Sequence, residues 1–221
     1  MKRLQFPTNN KDILGYLKDD HEWMIITDLK LNMLGAARGS RRSCDDECIK
    51  NAFQAASEVI NDFYPKEQHR QLSYVYCLHT HPQGVQYPSQ MDILAFFNLK
   101  KNHQFGFNVM GYGVITNRGI SLIKLPENKE KLWAIDIKPI LTKYSDKSEQ
   151  NEMTTVYKKL IKQDKPLDNF DNYYEALPLK EKQKIARSAS HRAFRDAFKD
   201  EPDIQTKVIR KPRRFSMTRR R

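Results

Sequence analysis

The chain has 221 residues, of which 39% are hydrophobic and 30% charged, and its formal net charge is +12. This length allows a substantial buried core. The sequence contains no run of 18 or more apolar residues, which is the length needed to span a bilayer, so a membrane protein is not expected. The amino terminus has no apolar stretch of signal-peptide length, and an odd number of cysteines fits reduced thiols. We therefore expect an intracellular protein, cytoplasmic or, in a eukaryotic host, nuclear.

The amino-terminal half predicts strands and helices in alternation. Trp23-Met24-Ile25-Ile26 is a short apolar run typical of a buried strand, and apolar residues recur at intervals of three and four between Asp45 and Tyr64, as in an amphipathic helix. In chain order the predicted elements are strands over 22–30 and 32–39, a helix over 45–64, a strand over 73–81, a helix opening at Ser89, and a hairpin of strands over 107–115 and 119–125.

After Pro126 the composition changes, and helical spacing dominates over 128–165 and 175–200. We therefore expect a first domain over 1–126, a helical extension over 127–203 and a basic, flexible tail over 204–221. The extension would bind a partner, cover a groove of the first domain, or be an independently stable addition.

Most of the positive charge lies in the tail. Residues 204–221 carry eight basic and no acidic residues, which leaves +4 for the rest of the chain. Such a segment could neutralise phosphates of a nucleic acid, but it is also typical of a solvated tail or a localisation signal. The eight side chains are Lys207, Arg210, Lys211, Arg213, Arg214, Arg219, Arg220 and Arg221.

The segment from His79 to Asp92 carries a metal-ligand pattern. Because alternate side chains of a strand share one face, His79 and His81 can present two imidazoles to one ion. A loop and the first turn of the next helix can return Asp92 as an oxygen ligand. Three protein ligands leave one tetrahedral position for water, as in catalytic zinc sites.

This segment, His-x-His followed by seven residues, Ser89, two residues and Asp92, resembles the motif of the JAMM, or MPN-type, metallopeptidases. The resemblance covers roughly residues 20–125. It implies an α/β fold with a cytidine-deaminase-like layout, in which helices flank a mixed curved sheet, and one zinc ion per chain. It also implies a general-base glutamate at the start of an earlier strand, where Glu22 fits best; Glu47 and Glu58 fall on the predicted helix. Ser89 would stabilise the oxyanion, although Ser-x-x-Asp is also the pattern of a helix capping box.

The resemblance implies hydrolysis of an amide bond in a protein substrate. Family members that remove ubiquitin-like modifiers generally have a serine or threonine between the histidines, and Thr80 resembles them. A ubiquitin-like conjugate is therefore one expected substrate. The residues from Glu22 to Ser40 more weakly resemble the RadC-like branch. The alternative is therefore a nucleic-acid-associated module that uses the fold as a scaffold and the basic tail for binding.

Overall fold

The computed structural model describes residues 13–41, 43–82, 88–102, 104–116, 119–126, 128–166 and 170–210. At its centre is a six-stranded sheet with the order β2-β1-β3-β4-β5-β6. Strands β3 and β4 are parallel, and the other neighbouring pairs are antiparallel. The strands are β1 Trp23–Thr27, β2 Met33–Arg38, β3 Tyr74–Thr80, β4 Asn108–Thr116, β5 Gly119–Lys124 and β6 Gln205–Arg210.

Helices flank this sheet, so the predicted mixed α/β fold is confirmed. Helix α1 begins where the Asp45 side chain accepts a hydrogen bond from the Cys48 backbone N–H at 2.9 Å, as an N-cap does. The helices are α1 Asp46–Phe63, α2 Lys66–Leu72, α3 Gln90–Asn102, α4 Lys129–Ala134, α5 Ile137–Lys162, α6 Phe170–Ala176 and α7 Leu179–Phe198, with short 3-10 turns at Leu14–Lys18 and Gln104–Gly106. Among the described helices, none combines the length and apolarity that crossing a membrane requires.

One hydrophobic core joins the sheet to the helical extension. It contains Met24 of β1, Phe53 of α1 and Phe96 of α3, together with Tyr144 of α5 and Phe194 of α7. The extension therefore shares its core with the strands that precede it in sequence. A second cluster, which includes Ile25, Leu78, Ile115 and Ile13, lies on strands β1, β3 and β4 and the first described residue.

The carboxyl end differs from the predicted flexible tail. Residues 205–210 form β6, which pairs antiparallel with β5 from Gly119 to Lys124, and Ile204 is buried in the core. The prediction of a tail from 204 is therefore wrong over this strand. The prediction failed because a solvated edge strand needs few apolar residues, and the basic residues of this segment made it resemble a solvated tail. Lys207 and Arg210 belong to β6. Residues 211–221, with the other six basic side chains, lie outside the described part.

Candidate metal centre

Two imidazoles meet where β3 ends. His79 is buried within β3, and His81 follows the strand, half-buried, with its backbone N–H donating to the Ile115 carbonyl at 2.9 Å. This bond extends the pairing with β4 and keeps both side chains on one face. Their Nε2 atoms lie 2.7 Å apart.

Asp92 brings a carboxylate to both histidines from the first turn of α3. Its Oδ1 lies 3.4 Å from His79 Nε2, and its Oδ2 lies 3.6 Å from His81 Nε2. The same carboxylate closes a capping box with Ser89. The Ser89 N–H donates to Asp92 Oδ2 at 2.6 Å, and the Asp92 N–H donates to Ser89 Oγ at 3.1 Å. The helix cap therefore fixes the direction in which Asp92 faces.

Glu22 completes the cluster from the residue before β1. A carboxylate oxygen of Glu22 and one ring nitrogen from each of His79 and His81 all lie within 4.8 Å of one another. The Glu22 backbone is held in extended pairing, because its N–H donates to the Ser40 carbonyl and its carbonyl accepts from Gly39 N–H, both at 2.8 Å. The side chain thus stands on a fixed backbone beside the histidines.

Thr80, between the two histidines, ties β3 to the start of β1. It is fully buried, and its Oγ1 accepts a hydrogen bond from the Trp23 backbone N–H at 2.8 Å. Trp23 directly follows Glu22, and Met24 pairs with His79 in the sheet. This bond therefore fixes the position of Glu22 relative to the histidines. The sequence alone indicated only that some members of the family it resembles have a serine or threonine at this position; it gave no sign of the bond to Trp23.

Residues 18–125 match the family described as prokaryotic homologs of the JAB domain. This region belongs to the JAMM/MPN-type family. The match includes Glu22, the two histidines, Ser89 and Asp92, and it ends before the helical extension. The comparison with curated proteins gives no match. Membership of this family supports a hydrolase activity in general terms, and the cluster of Glu22, His79 and His81 is compatible with a metal ion.

The donor set of this JAMM/MPN-type domain suits zinc. Imidazole nitrogens and a carboxylate are the ligands of many catalytic zinc sites, and tetrahedral ligation places neighbouring donors about 3.4 Å apart. Each Asp92 oxygen has about this spacing from one histidine, Oδ1 from His79 at 3.4 Å and Oδ2 from His81 at 3.6 Å, whereas the His79–His81 pair at 2.7 Å must open by several tenths of an ångström. Nδ1 of His79 is buried and, in the part of the chain that the structure describes, has no hydrogen-bond partner. This leaves Nε2 as the nitrogen of His79 that faces the cluster.

The charges of the cluster favour an imidazole that is ready to bind a metal. Burial, and after it the charge of the neighbouring His81, lower the pKa of His79 to about 4, against the opposing effect of Asp92. His79 is therefore neutral near pH 7, as a metal ligand must be. Burial also raises the pKa of Glu22; His81 opposes this shift and Asp92 adds to it. A raised pKa suits a carboxylate that accepts a proton during catalysis.

A second group of acidic and imidazole side chains, at Asp19, Asp20 and His21, is an ion-pair network. Arg38 donates two hydrogen bonds to the Asp19 carboxylate, at 2.9 and 3.0 Å, and Arg41 Nε lies 3.0 Å from Asp20. Arginines thus occupy the carboxylate oxygens that a cation would need. The network lies just before Glu22 in sequence, and Trp23 Nε1 donates to Asp19 at 3.0 Å, which anchors the start of β1.

Proposed function

We propose that this chain is a zinc-dependent hydrolase that cleaves an amide bond in a protein substrate, as a peptidase or isopeptidase. The observation that carries the proposal is the convergence of Glu22 on His79, His81 and Asp92 from three separate elements of the fold. His79, His81 and Asp92 would hold one zinc ion per chain, and Glu22 and Ser89 would act on the substrate.

Zinc, when bound, would polarise the scissile carbonyl and lower the pKa of water towards about 7. Glu22 would take a proton from the attacking water and then deliver it to the amide nitrogen as the C–N bond breaks. One water is consumed, and a carboxylate and an amine are released. The half-buried position of Glu22, which raises its pKa, supports this role, because the protonated form needed for delivery is then less costly.

Ser89 would stabilise the oxyanion that develops on the carbonyl. Its Oγ accepts the Asp92 N–H at 3.1 Å, and this contact uses a lone pair of the hydroxyl, not its proton. The hydroxyl can therefore donate to an oxygen of the substrate while it caps α3. Loss of such a donor typically slows catalysis by about 100-fold or more.

Ubiquitin-like conjugates are the substrates we propose first. The support is Thr80, because family members that cut ubiquitin-like modifiers from lysine side chains have a serine or threonine between the histidines. The hydrogen bond from the Trp23 N–H to Thr80 Oγ1 gives a hydroxyl at this position a structural role in this chain. A hydrolysis product with a free lysine amine would identify the isopeptide reaction.

Metal content and hydrolysis test this proposal together. Wild-type protein should contain close to one zinc per chain by elemental analysis, and a His79→Ala, His81→Ala double variant should contain none. Glu22→Gln should keep its zinc but release no new amines from a peptide library or from an isopeptide-linked ubiquitin-like conjugate. Wild-type protein that takes up no added zinc would refute the zinc site. Equal hydrolysis by wild type and Glu22→Gln would refute the role of Glu22.

The second candidate function is binding to a nucleic acid, which would be compatible with hydrolysis. The observation that favours it is the position of Lys207, exposed on edge strand β6, directly before the basic sequence of 211–221. Binding should weaken steeply as salt rises. Removal of residues 211–221 leaves β6 intact and should abolish binding to a labelled duplex. Absence of binding by the full chain at low salt would refute this function.

A further inference from the structure

The helical extension contacts the metal centre through the residues on either side of Ser89. Tyr144 of α5 is buried, and its hydroxyl donates to the Pro88 carbonyl at 3.1 Å. Gln90, the first residue of α3, donates from its side chain to the Leu141 carbonyl of α5 at 2.9 Å. The two bonds span 56 and 51 positions of sequence and enclose the capping residue between them.

We propose that Tyr144 and Gln90 are positioning residues of the metal centre, and that α5 fixes the start of α3 so that Ser89 and Asp92 face the histidines. This inference rests on the proposed function, because it assigns a role in the same site to Gln90 and to Tyr144, and Tyr144 lies outside the family match.

Among the described residues, the start of α3 has few contacts besides these bonds and those of Asp92 with the histidines. Ser89 is exposed, Met91 is 72% exposed, and Ile93 is the first buried residue of the helix. The capping box ties Ser89 to Asp92, and Asp92 contacts the histidines at 3.4 and 3.6 Å, but neither contact connects the pair to the helical extension. The bonds from α5 supply that connection.

Helix α5 is itself held firmly enough to act as a support. The Tyr144 ring packs edge-on against Phe194 of α7, with 6.0 Å between ring centroids, and both residues belong to the core shared with the sheet. Further along the helix pair, Asn151 donates to the Ala189 carbonyl at 3.4 Å. A shift of the first turns of α5 would therefore disturb this packing as well as the bonds to α3.

The far end of the extension provides a matched control. Tyr174 of α6 also uses its hydroxyl in a hydrogen bond, which it donates to Glu152 of α5. Tyr174 packs against a separate small core that contains Val156, Leu160 and Ile185 and none of the metal-centre residues. Tyr174→Phe thus removes the same chemical group, from the same extension, without touching α3.

Amide hydrogen exchange of the metal-free full-length protein tests the contact without relying on zinc. Tyr144→Phe and Gln90→Met should each speed exchange in a peptide that covers residues 88–96, by about tenfold for the loss of one hydrogen bond. Tyr174→Phe should leave that peptide at the wild-type rate. Wild-type exchange in both variants, or equal acceleration in the control, would overturn the proposal.

Zinc affinity, measured by competition with a chelating indicator, then tests the link to the metal. Tyr144→Phe and Gln90→Met should weaken zinc binding about tenfold, as is usual when groups that orient metal ligands are removed. Tyr174→Phe should bind zinc like wild type. Unchanged affinity in the first two variants would overturn the positioning role. If wild-type protein bound no zinc, the proposed function would fail instead, and the exchange result would still decide whether α5 holds α3.

Discussion

Replacement of Thr80 by valine should weaken both the fold and the placement of Glu22. The substitution keeps the size and branching of the buried side chain but removes Oγ1, which accepts the Trp23 N–H at 2.8 Å. A donor left without its partner away from water costs about 1 to 3 kcal/mol. At about 2 to 4 °C per kcal/mol for a chain of this size, the unfolding midpoint should fall by roughly 2 to 12 °C.

Thermal unfolding of the metal-free protein measures this cost without a contribution from zinc binding. Thr80→Ser, which keeps the acceptor but loses a methyl group, is the matched control and should be the more stable of the two variants. Under the proposed function, Thr80→Val should retain metal but hydrolyse more slowly, because Glu22 precedes Trp23 and loses its anchor. A Thr80→Val protein as stable as Thr80→Ser would refute the importance of this bond.

Two further substitutions test the packing and charge of the strands beside the site. Gly35→Ala should cost about 1 to 3 kcal/mol of stability, because its Cβ would lie 2.4 Å from the backbone nitrogen of Ala56; Gly15→Ala, which has no atom within 4 Å, should be near neutral in the same thermal scan. Hydrogen bonds from Arg38 hold the pKa of Asp19 well below its usual range. The carboxylate therefore stabilises the fold above the unfolded pKa of about 4. The difference in unfolding midpoint between wild type and Asp19→Asn should shrink as pH falls below about 4, and a difference independent of pH would contradict this assignment.

The sequence predicted the elements whose patterns are local. The amphipathic spacing within 45–64 became α1, and the apolar run at Trp23 became β1, because burial on one face leaves a periodic trace in sequence. The predicted helix over 128–165 proved to be two helices, α4 and α5. The break has a local cause that the sequence contained, since Asp136 is the N-cap of α5 and accepts the Lys138 N–H at 3.1 Å.

Other features depend on contacts between distant parts of the chain. Strand β6 carries two basic residues among six, so its pattern resembled a solvated tail until β5 supplied a pairing partner. The bonds from Tyr144 to Pro88 and from Gln90 to Leu141 have no sequence signal, because glutamine and tyrosine are common on helices of every kind. Only the packing of α5 against α3 reveals their position beside the candidate site.

Ser89 and Asp92 show why one pattern allowed two interpretations. A capping box needs an oxygen-bearing side chain at the helix start and an acceptor three residues later, and the motif that the segment resembles uses the same two positions for an oxyanion donor and a metal ligand. In this fold the contacts coexist: Asp92 Oδ2 accepts the Ser89 N–H at 2.6 Å, while Oδ1 faces His79 Nε2 at 3.4 Å. The cap thus directs Asp92 towards the histidines, and evidence for the cap is no evidence against the proposed metal site.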